Sequence, residues 1–541
     1  MYKKMKKSSF QKAFLIFIGL FFSVNLWGQN YVPGEVIVKL KSSGKGSGSG
    51  SVARKAYSFV GKMITQRKMS LKMSWSRLNM YNFKLAPNDS VQKVIQDLKN
   101  DPDVEYVEPN YYVNKASVTG LQEKYTAQEV QSFGGSYPTT SAPIHVTDAW
   151  SILSTPSQKP IVAVIDTGLD LNHTVFQQTN SIYTNPGEIP GNGIDDDMNG
   201  YVDDVHGWNF VSQSGNMIDD DGHGTHVAGI ILGVGQDIYS PPFSESKIQI
   251  MPLKFLDGNG IGKTSDAIQA IYYAVNMGAS VINNSWGGPG YSAALHEAIV
   301  YSYNKGVSFV AAAGNSATNN DSAPMYPASY DVPNVIAVAA TTDSDVLASF
   351  SNYGYNSVHL GSPGSYILST IPGNQYGSMS GTSMAAPFVS GVAALIKVES
   401  PQMLGYQIKS IILGDVDGVG ALSQKVSSEG RLNVLNAVQK AKTATVLPTQ
   451  PGYTFSNQDR GLASALATGG GGCGMVKAVY SNFNQQAQGN GQGSSLFGGD
   501  LETWYVLIVV GIMTLPLILL SIFREKDKAY RRQYERFNIN T

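Results

Sequence analysis

The sequence predicts an α/β protein. A mostly parallel sheet with helices on both faces is preceded by a small α/β domain and followed by one long apolar helix. Three observations predict it. Between residues 144 and 443, short apolar runs (Ile161–Ile165, Ile250–Phe255, Val281–Asn284, Val307–Ala312, Val335–Ala339) alternate with amphipathic helical stretches. Strands that are apolar on both sides are those of a parallel sheet covered on two faces. Nearer the N-terminus, Glu35–Leu40 alternates like a half-buried strand, and Val91, Val94, Ile95 and Leu98 fall at helical spacing. Close to the C-terminus, Trp504–Phe523 runs for 20 residues without a charge.

Taken in order, residues 1–28 read as a signal peptide: Lys3, Lys4, Lys6, Lys7 and Lys12 precede the charge-free stretch Ala13–Val24, with small Gly28 beyond. An uncleaved anchor is the alternative, but that stretch is short for a hydrocarbon core of about 30 Å. Residues 29–113 form the small α/β domain, with a Gly/Ser hinge at 44–50 and a turn and short strand over 101–109. Residues 114–143 lack periodicity and read as a linker. The stretch 444–503, rich in Gly, Gln, Asn and Ser, reads as a flexible tether. Trp504–Phe523 is long enough to span a bilayer. The tail 524–541 carries Arg524, Lys526, Lys528, Arg531, Arg532 and Arg536, which places it in the cytoplasm and the rest outside.

Composition excludes several classes. Lys and Arg number 39 against 40 Asp and Glu, a net charge of −1, so no basic field argues for nucleic acid. Charged residues are 15% and apolar residues 42%, unlike a disordered or coiled-coil chain. The 57 glycines imply long Gly-bearing loops or linkers, and the single Cys473 excludes an intrachain disulfide or a multi-cysteine metal centre.

Four segments carry chemistry. Asp166 directly follows a buried strand, where an open α/β sheet gathers its functional groups, although an Asp there is also an ordinary turn or cap. Asp221-Gly222-His223-Gly224-Thr225-His226 surrounds His223 with glycines, so another group can approach its ring; His226 reads as structural. Phe309–Asn315 is a buried strand ending in Gly314-Asn315, where the amide could close a turn or donate to an oxyanion. Ser383 in Gly381-Thr382-Ser383-Met384-Ala385-Ala386-Pro387 opens a helix, among unpaired N–H groups that favour negative charge. Its bland role would be that of an N-cap.

Together, Asp-Thr-Gly, His-Gly-Thr-His-Val-Ala-Gly, Ala-Ala-Gly-Asn and Gly-Thr-Ser-Met-Ala-Ala-Pro resemble the subtilisin-like serine proteases (peptidase S8 family), in that family's order. The resemblance implies a subtilisin-like fold and a serine endopeptidase acting on proteins or peptides. Ser383 would be the nucleophile, His223 the general base and Asp166 its orienting partner. Asn315 would be the oxyanion donor. Ser285-Trp286-Gly287-Gly288, with Gly314, resembles the family's substrate-binding segments, which pair with an extended chain. Phe388 departs from the His that many members carry there. Val32–Val38 and Val104–Asn110 resemble an inhibitory propeptide, which implies a zymogen processed within 114–143, with the propeptide as intramolecular inhibitor; a permanent accessory domain is the alternative. A peptide-binding pseudo-enzyme and a structural surface protein whose catalytic-looking domain serves adhesion are the competing readings.

Two further features stand apart. Asp195, Asp197, Asn199, Tyr201 and Asp203, with Gly200, follow much of the spacing of an EF-hand calcium loop, with His206 where the bidentate Glu belongs. Calcium is therefore the expected cofactor, with an acidic surface turn as the alternative. Cys473, among glycines and ahead of the span, looks like a C-terminal sorting signal cut by a processing enzyme; a free thiol in a linker is the other reading. Either a membrane-anchored or a released form is compatible with this C-terminus.

Overall fold

A computed structural model describes residues 30–41, 49–118, 123–132, 143–447 and 451–453. The signal peptide, most of the Gly/Ser hinge, Cys473 and the span 504–523 lie outside the described residues. No helix among the described residues is long and apolar enough to cross a membrane.

The N-terminal domain is built from β1 (Tyr31–Leu40), α1 (Ser49–Thr65), β2 (Ser70–Trp75), β3 (Met80–Lys84), α2 (Val91–Leu98) and β4 (Val104–Lys115). The strands form an antiparallel sheet in the order β2-β3-β1-β4. Val91, Val94, Ile95 and Leu98 are all buried, as their spacing requires, and Ser90 caps α2 by accepting from the Lys93 N–H. With Phe59 and Met63 from α1 they close one face of the sheet. The other face turns toward the larger domain, whose core takes in Ile37, Met80, Tyr106 and Val113. Helix α1 is not predicted by the sequence analysis: Gly and Ser residues at its start mark a hinge, while Ala56, Phe59 and Met63 behind them turn inward.

The larger domain contains β5 (Ile161–Asp166), α3 (His223–Gly235), β6 (Gln249–Lys254), β7 (Ile261–Lys263), α4 (Thr264–Asn276), β8 (Val281–Asn284), β9 (Trp286–Gly287), α5 (Ala293–Asn304), β10 (Ser308–Ala312), β11 (Val335–Thr341), β12 (Leu360–Pro363) and α6 (Thr382–Glu399). The parallel core of its sheet runs β12-β11-β10-β8-β5-β6, extended at both edges by two-residue strands. The first strand, β5, pairs with β6 on one side and β8 on the other, so the chain reverses direction across the sheet at β5. The carboxyl ends of β5 and β8 part there, which is where an open parallel sheet leaves a crevice. Helices α3 and α6 are buried nearly all round and pack in one core against one face of the sheet, as an all-apolar helix must.

Two boundaries differ from the sequence reading. Strand β4 continues past Val113 to Lys115, and the region read as a linker contains a strand at Lys124–Tyr125 and a helix at Ala127–Ser132. Short strands carry too few residues to display a period, so pairing rather than pattern reveals them. At the other end, Tyr453 donates from its hydroxyl to Asp331 O and the Tyr303 hydroxyl donates to Pro451 O, so the start of the expected tether lies on the domain.

Candidate active site

Asp166 is the last residue of β5 and His223 the first of α3; both are fully buried. His223 Nδ1 donates to Asp166 Oδ1 at 2.7 Å, and the Thr167 N–H donates to the same oxygen at 2.8 Å. The proton therefore sits on Nδ1 and leaves Nε2 as the basic nitrogen, which has no hydrogen-bond partner. Gly224 N donates to Thr167 Oγ1, and that hydroxyl donates to Asp219, so β5 and the start of α3 are stitched together beneath the pair. His226, one turn along, faces the carbonyls of Ile367 and Gly377 through Nε2 at 2.9 and 3.0 Å. Burial, helped by the nearby His223, lowers its pKa to about 3, so it stays a neutral donor.

Ser383 lies in the first turn of α6. Its hydroxyl donates to Ser285 O at 2.8 Å. Pro387, four residues on, has no N–H, so the Ser383 carbonyl lacks its helical partner. The Ser285 hydroxyl donates to that carbonyl at 2.9 Å instead. Ser285 thus supports both ends of the serine residue from outside the helix.

Asn315 follows the buried strand β10 through Gly314. Its Oδ1 accepts from both the N–H and the hydroxyl of Thr382, at 2.9 Å each, which turns Nδ2 outward. Gly314 itself donates to Thr382 Oγ1. Asn315 Nδ2 and the Ser383 N–H converge on one atom, the carbonyl oxygen of Ala116, the latter at 3.2 Å. A Cβ at Gly381 would stand 2.6 Å from that oxygen, so glycine is required for the approach.

Residues leading to Ala116 lie in the crevice as an added strand. Tyr112–Asn114 pair antiparallel with β7, and Asn114 and Lys115 pair with Gly287 and Trp286 of β9. Ala116 N donates to Ser285 O at 3.0 Å. Gly288 backs this strand, where a Cβ would come within 3.2 Å of Tyr112 O. The N-terminal domain is held above by two helix N-termini. Glu108 accepts from Ser292 Oγ, Ala293 N and Ala294 N at the start of α5. Asn110 accepts from Ser265 N at the start of α4. Lys39 pairs with Glu297 at 2.6 Å.

The loop with calcium-like spacing folds differently from an EF-hand. Asp195 spends its carboxylate on the N–H groups of Asn199 and Gly200, and Asp203 on those of Gly191, Asn192 and Gly193. Asn199 directs its amide N–H groups to Asp197 and Asp204, and the Tyr201 ring packs on Trp208 and Tyr273. Of the five expected ligands only Asp197 joins a cluster, together with Glu188 and Asp204, whose carboxylate oxygens lie within 4.8 Å of one another. Glu188 and Asp204 are buried, and the partners of all three are amides, backbone N–H groups and the Tyr273 hydroxyl. Three carboxylates with neutral donors and no Lys or Arg partner among the described residues suit a hard divalent cation. Sequence spacing could not find Glu188 or Asp204, because the loop's turns rather than its register bring them in. Asp219, Asp220 and Asp221 form no second cluster: Asp219 serves Thr167 and Thr225, Asp220 pairs with Lys254, and Asp221 with Lys115.

A buried carboxylate–imidazole pair, a serine at a helix N-terminus and two N–H donors meeting on one carbonyl oxygen make an arrangement suited to acyl transfer. The subtilase family profile matches residues 157–440, just over half of the chain, and the fervidolysin N-terminal prodomain matches residues 23–110. The thermophilic serine proteinase of Bacillus sp. (strain AK1) is 36% identical over 408 residues, covering 75% of this chain and 88% of that protein. Thermitase of Thermoactinomyces vulgaris is 36% identical over 296 residues, or 55% of this chain and 94% of thermitase. Subtilisin-like protease 2 of Plasmodium falciparum (isolate 3D7) is 37% identical over 258 residues, 47% of this chain and 18% of that protein. The chain belongs to the subtilase family and is a subtilisin-type serine endopeptidase with an N-terminal prodomain.

Proposed function

We propose that the protein is an exported endopeptidase that cuts its own chain between Ala116 and Ser117 and then hydrolyses extended peptides in the same crevice. The observation that carries this reading is the Ala116 carbonyl oxygen, held by Asn315 Nδ2 and the Ser383 N–H while the preceding residues pair with β7 and β9. In this reading Ser383 Oγ leaves Ser285 O, engages the unpartnered His223 Nε2 and attacks the Ala116 carbonyl carbon. Its proton passes to Nε2, and the oxyanion forms between the two donors already in place. Asp166 holds the ring's tautomer and steadies the imidazolium. Collapse breaks the C–N bond, and Nε2 returns the proton to the Ser117 amine. Water then repeats the attack on the acyl-enzyme, releasing the Ala116 carboxylate and restoring Ser383.

The prodomain remains in the crevice as inhibitor until it dissociates or is degraded. Glu188, Asp197 and Asp204 would hold calcium, which supplies positive charge to the buried carboxylates and ties the loop to α4 through Tyr273. Export rests on residues 1–28, and membrane tethering on Trp504–Phe523 with its basic tail.

Intact-mass measurement on the purified full chain and its Ser383→Ala variant tests the central step. Wild type is expected to yield a new N-terminus at Ser117 while the variant stays whole. Equal cutting of both, or a wild type that stays whole, would remove the basis for this reading.

A further inference from the structure

We propose that Asp221 selects a basic side chain on the residue immediately preceding the one whose carbonyl is attacked, so that substrates are cut one residue after a Lys or Arg. This rests on the crevice being the substrate site. Lys115 occupies that position in the self-bound strand, and its Nζ is paired with Asp221 Oδ2. The carboxylate is only 9% exposed, and its other oxygen accepts from the His223 N–H at 3.3 Å, which fixes it beside the imidazole.

The neighbouring charges leave Asp221 as the acid available to a substrate. Asp220 is bound to Lys254, whose Nζ also donates to Thr167 O, and Asp219 is consumed by Thr167, Thr225 and the Gly222 N–H. The stem of Lys115 has its own channel. A Cβ built on Gly260 (φ +73°) would lie 2.6 Å from Lys115 Cδ and 2.7 Å from its Cγ, so the bare backbone at 260 is what lets four methylenes lie flat before the ammonium reaches Asp221. When the prodomain leaves, Asp221 loses its cation at the crevice wall. A basic substrate side chain of that length restores the pair, whereas an acidic one would face a like charge.

The test uses the self-processed full-length protein and three six-residue peptides with the order Val-Asn-X-Ala-Ser-Val, X being Lys, Ala or Glu, which copies residues 113–118. We expect kcat/KM for X = Lys to exceed X = Ala by about ten-fold, as for a partly exposed ion pair, and X = Glu to be poorer than Ala. The Lys-over-Ala ratio should collapse toward one in Asp221→Asn, which keeps an acceptor for the His223 N–H. It should invert in favour of Glu in Asp221→Lys. Equal cleavage of the Lys and Ala peptides by wild type overturns the selection while leaving the protease intact. A Lys preference that survives Asp221→Asn overturns the assignment to this residue. If wild type cuts none of the peptides and does not process itself, the catalytic reading fails first, and the selection with it.

Discussion

Asn315 illustrates how a residue type acquires a function from its neighbours. An amide can turn either edge to a ligand, and it is Thr382, through its N–H and hydroxyl, that claims Oδ1 and leaves Nδ2 facing the Ala116 carbonyl. Ser383 shows the same dependence: the Pro387 gap in the helix ladder and the Ser285 hydroxyl that fills it set where the backbone of the proposed nucleophile rests. Asn315→Ala should lower kcat by about 10²–10³, the range known for this donor in subtilisins, with little change in KM, because the oxyanion exists only beyond the ground state. Steady-state kinetics on one peptide check both halves; a rise in KM at constant kcat would assign Asn315 to substrate binding instead. Ser383, His223 and Asn315 were legible because each stands in a distinctive run of residues. Thr382 stands in the same run but advertises no chemistry.

At the scale of elements, the prodomain acts on the N-termini of α4 and α5. Those helices leave unpaired N–H groups, and Asn110 and Glu108 supply the missing acceptors from another domain. Burial raises the Glu108 carboxyl to about 7 despite its three donors, and burial also raises Asp266, near the same contact, to about 6. Once released to water, Glu108 returns to its ordinary value near 4.5. The complex therefore binds more protons than the separated parts between about pH 4.5 and 7. Prodomain binding should be tightest at the acid end and weaken as pH rises through 7. The lag before activity appears after self-processing should shorten from pH 5.5 to pH 7.5, and Glu108→Gln should flatten that dependence. A lag that lengthens with rising pH would contradict this. Residues 114–115 read as linker because two residues show no period; their strand exists through pairing with β9, and for Asn114 with β7 as well.

For the whole molecule, a chain with one cysteine has no disulfide to hold a long surface loop, and the loop around residues 185–204 relies on carboxylates. With calcium well above its dissociation constant, binding would contribute about 3 kcal/mol. Chelation should then lower the thermal midpoint of the processed enzyme by about 5–10 °C, restored by added calcium but not by an equal ionic strength of sodium chloride. Asp204→Ala should abolish the calcium response. A midpoint indifferent to chelator would leave the cluster a hydrogen-bonded turn.

The sequence by itself determined the class of fold and the family, and it marked the candidate reacting groups. Apolar strand runs declare a parallel sheet through burial on both faces, and Asp166, His223 and Ser383 sit in motifs whose glycines and helix starts serve close approach. Tertiary structure alone decided which atoms meet across the fold. It laid Lys115 and Ala116 into the crevice, paired Lys115 with Asp221, and gathered Glu188 with Asp204 while turning Asp195 and Asp203 to backbone N–H groups. Spacing along a chain carries local geometry, which helices and strands repeat. Contacts made through loops or between separate elements depend on how the chain folds back and packs, and no local period records that.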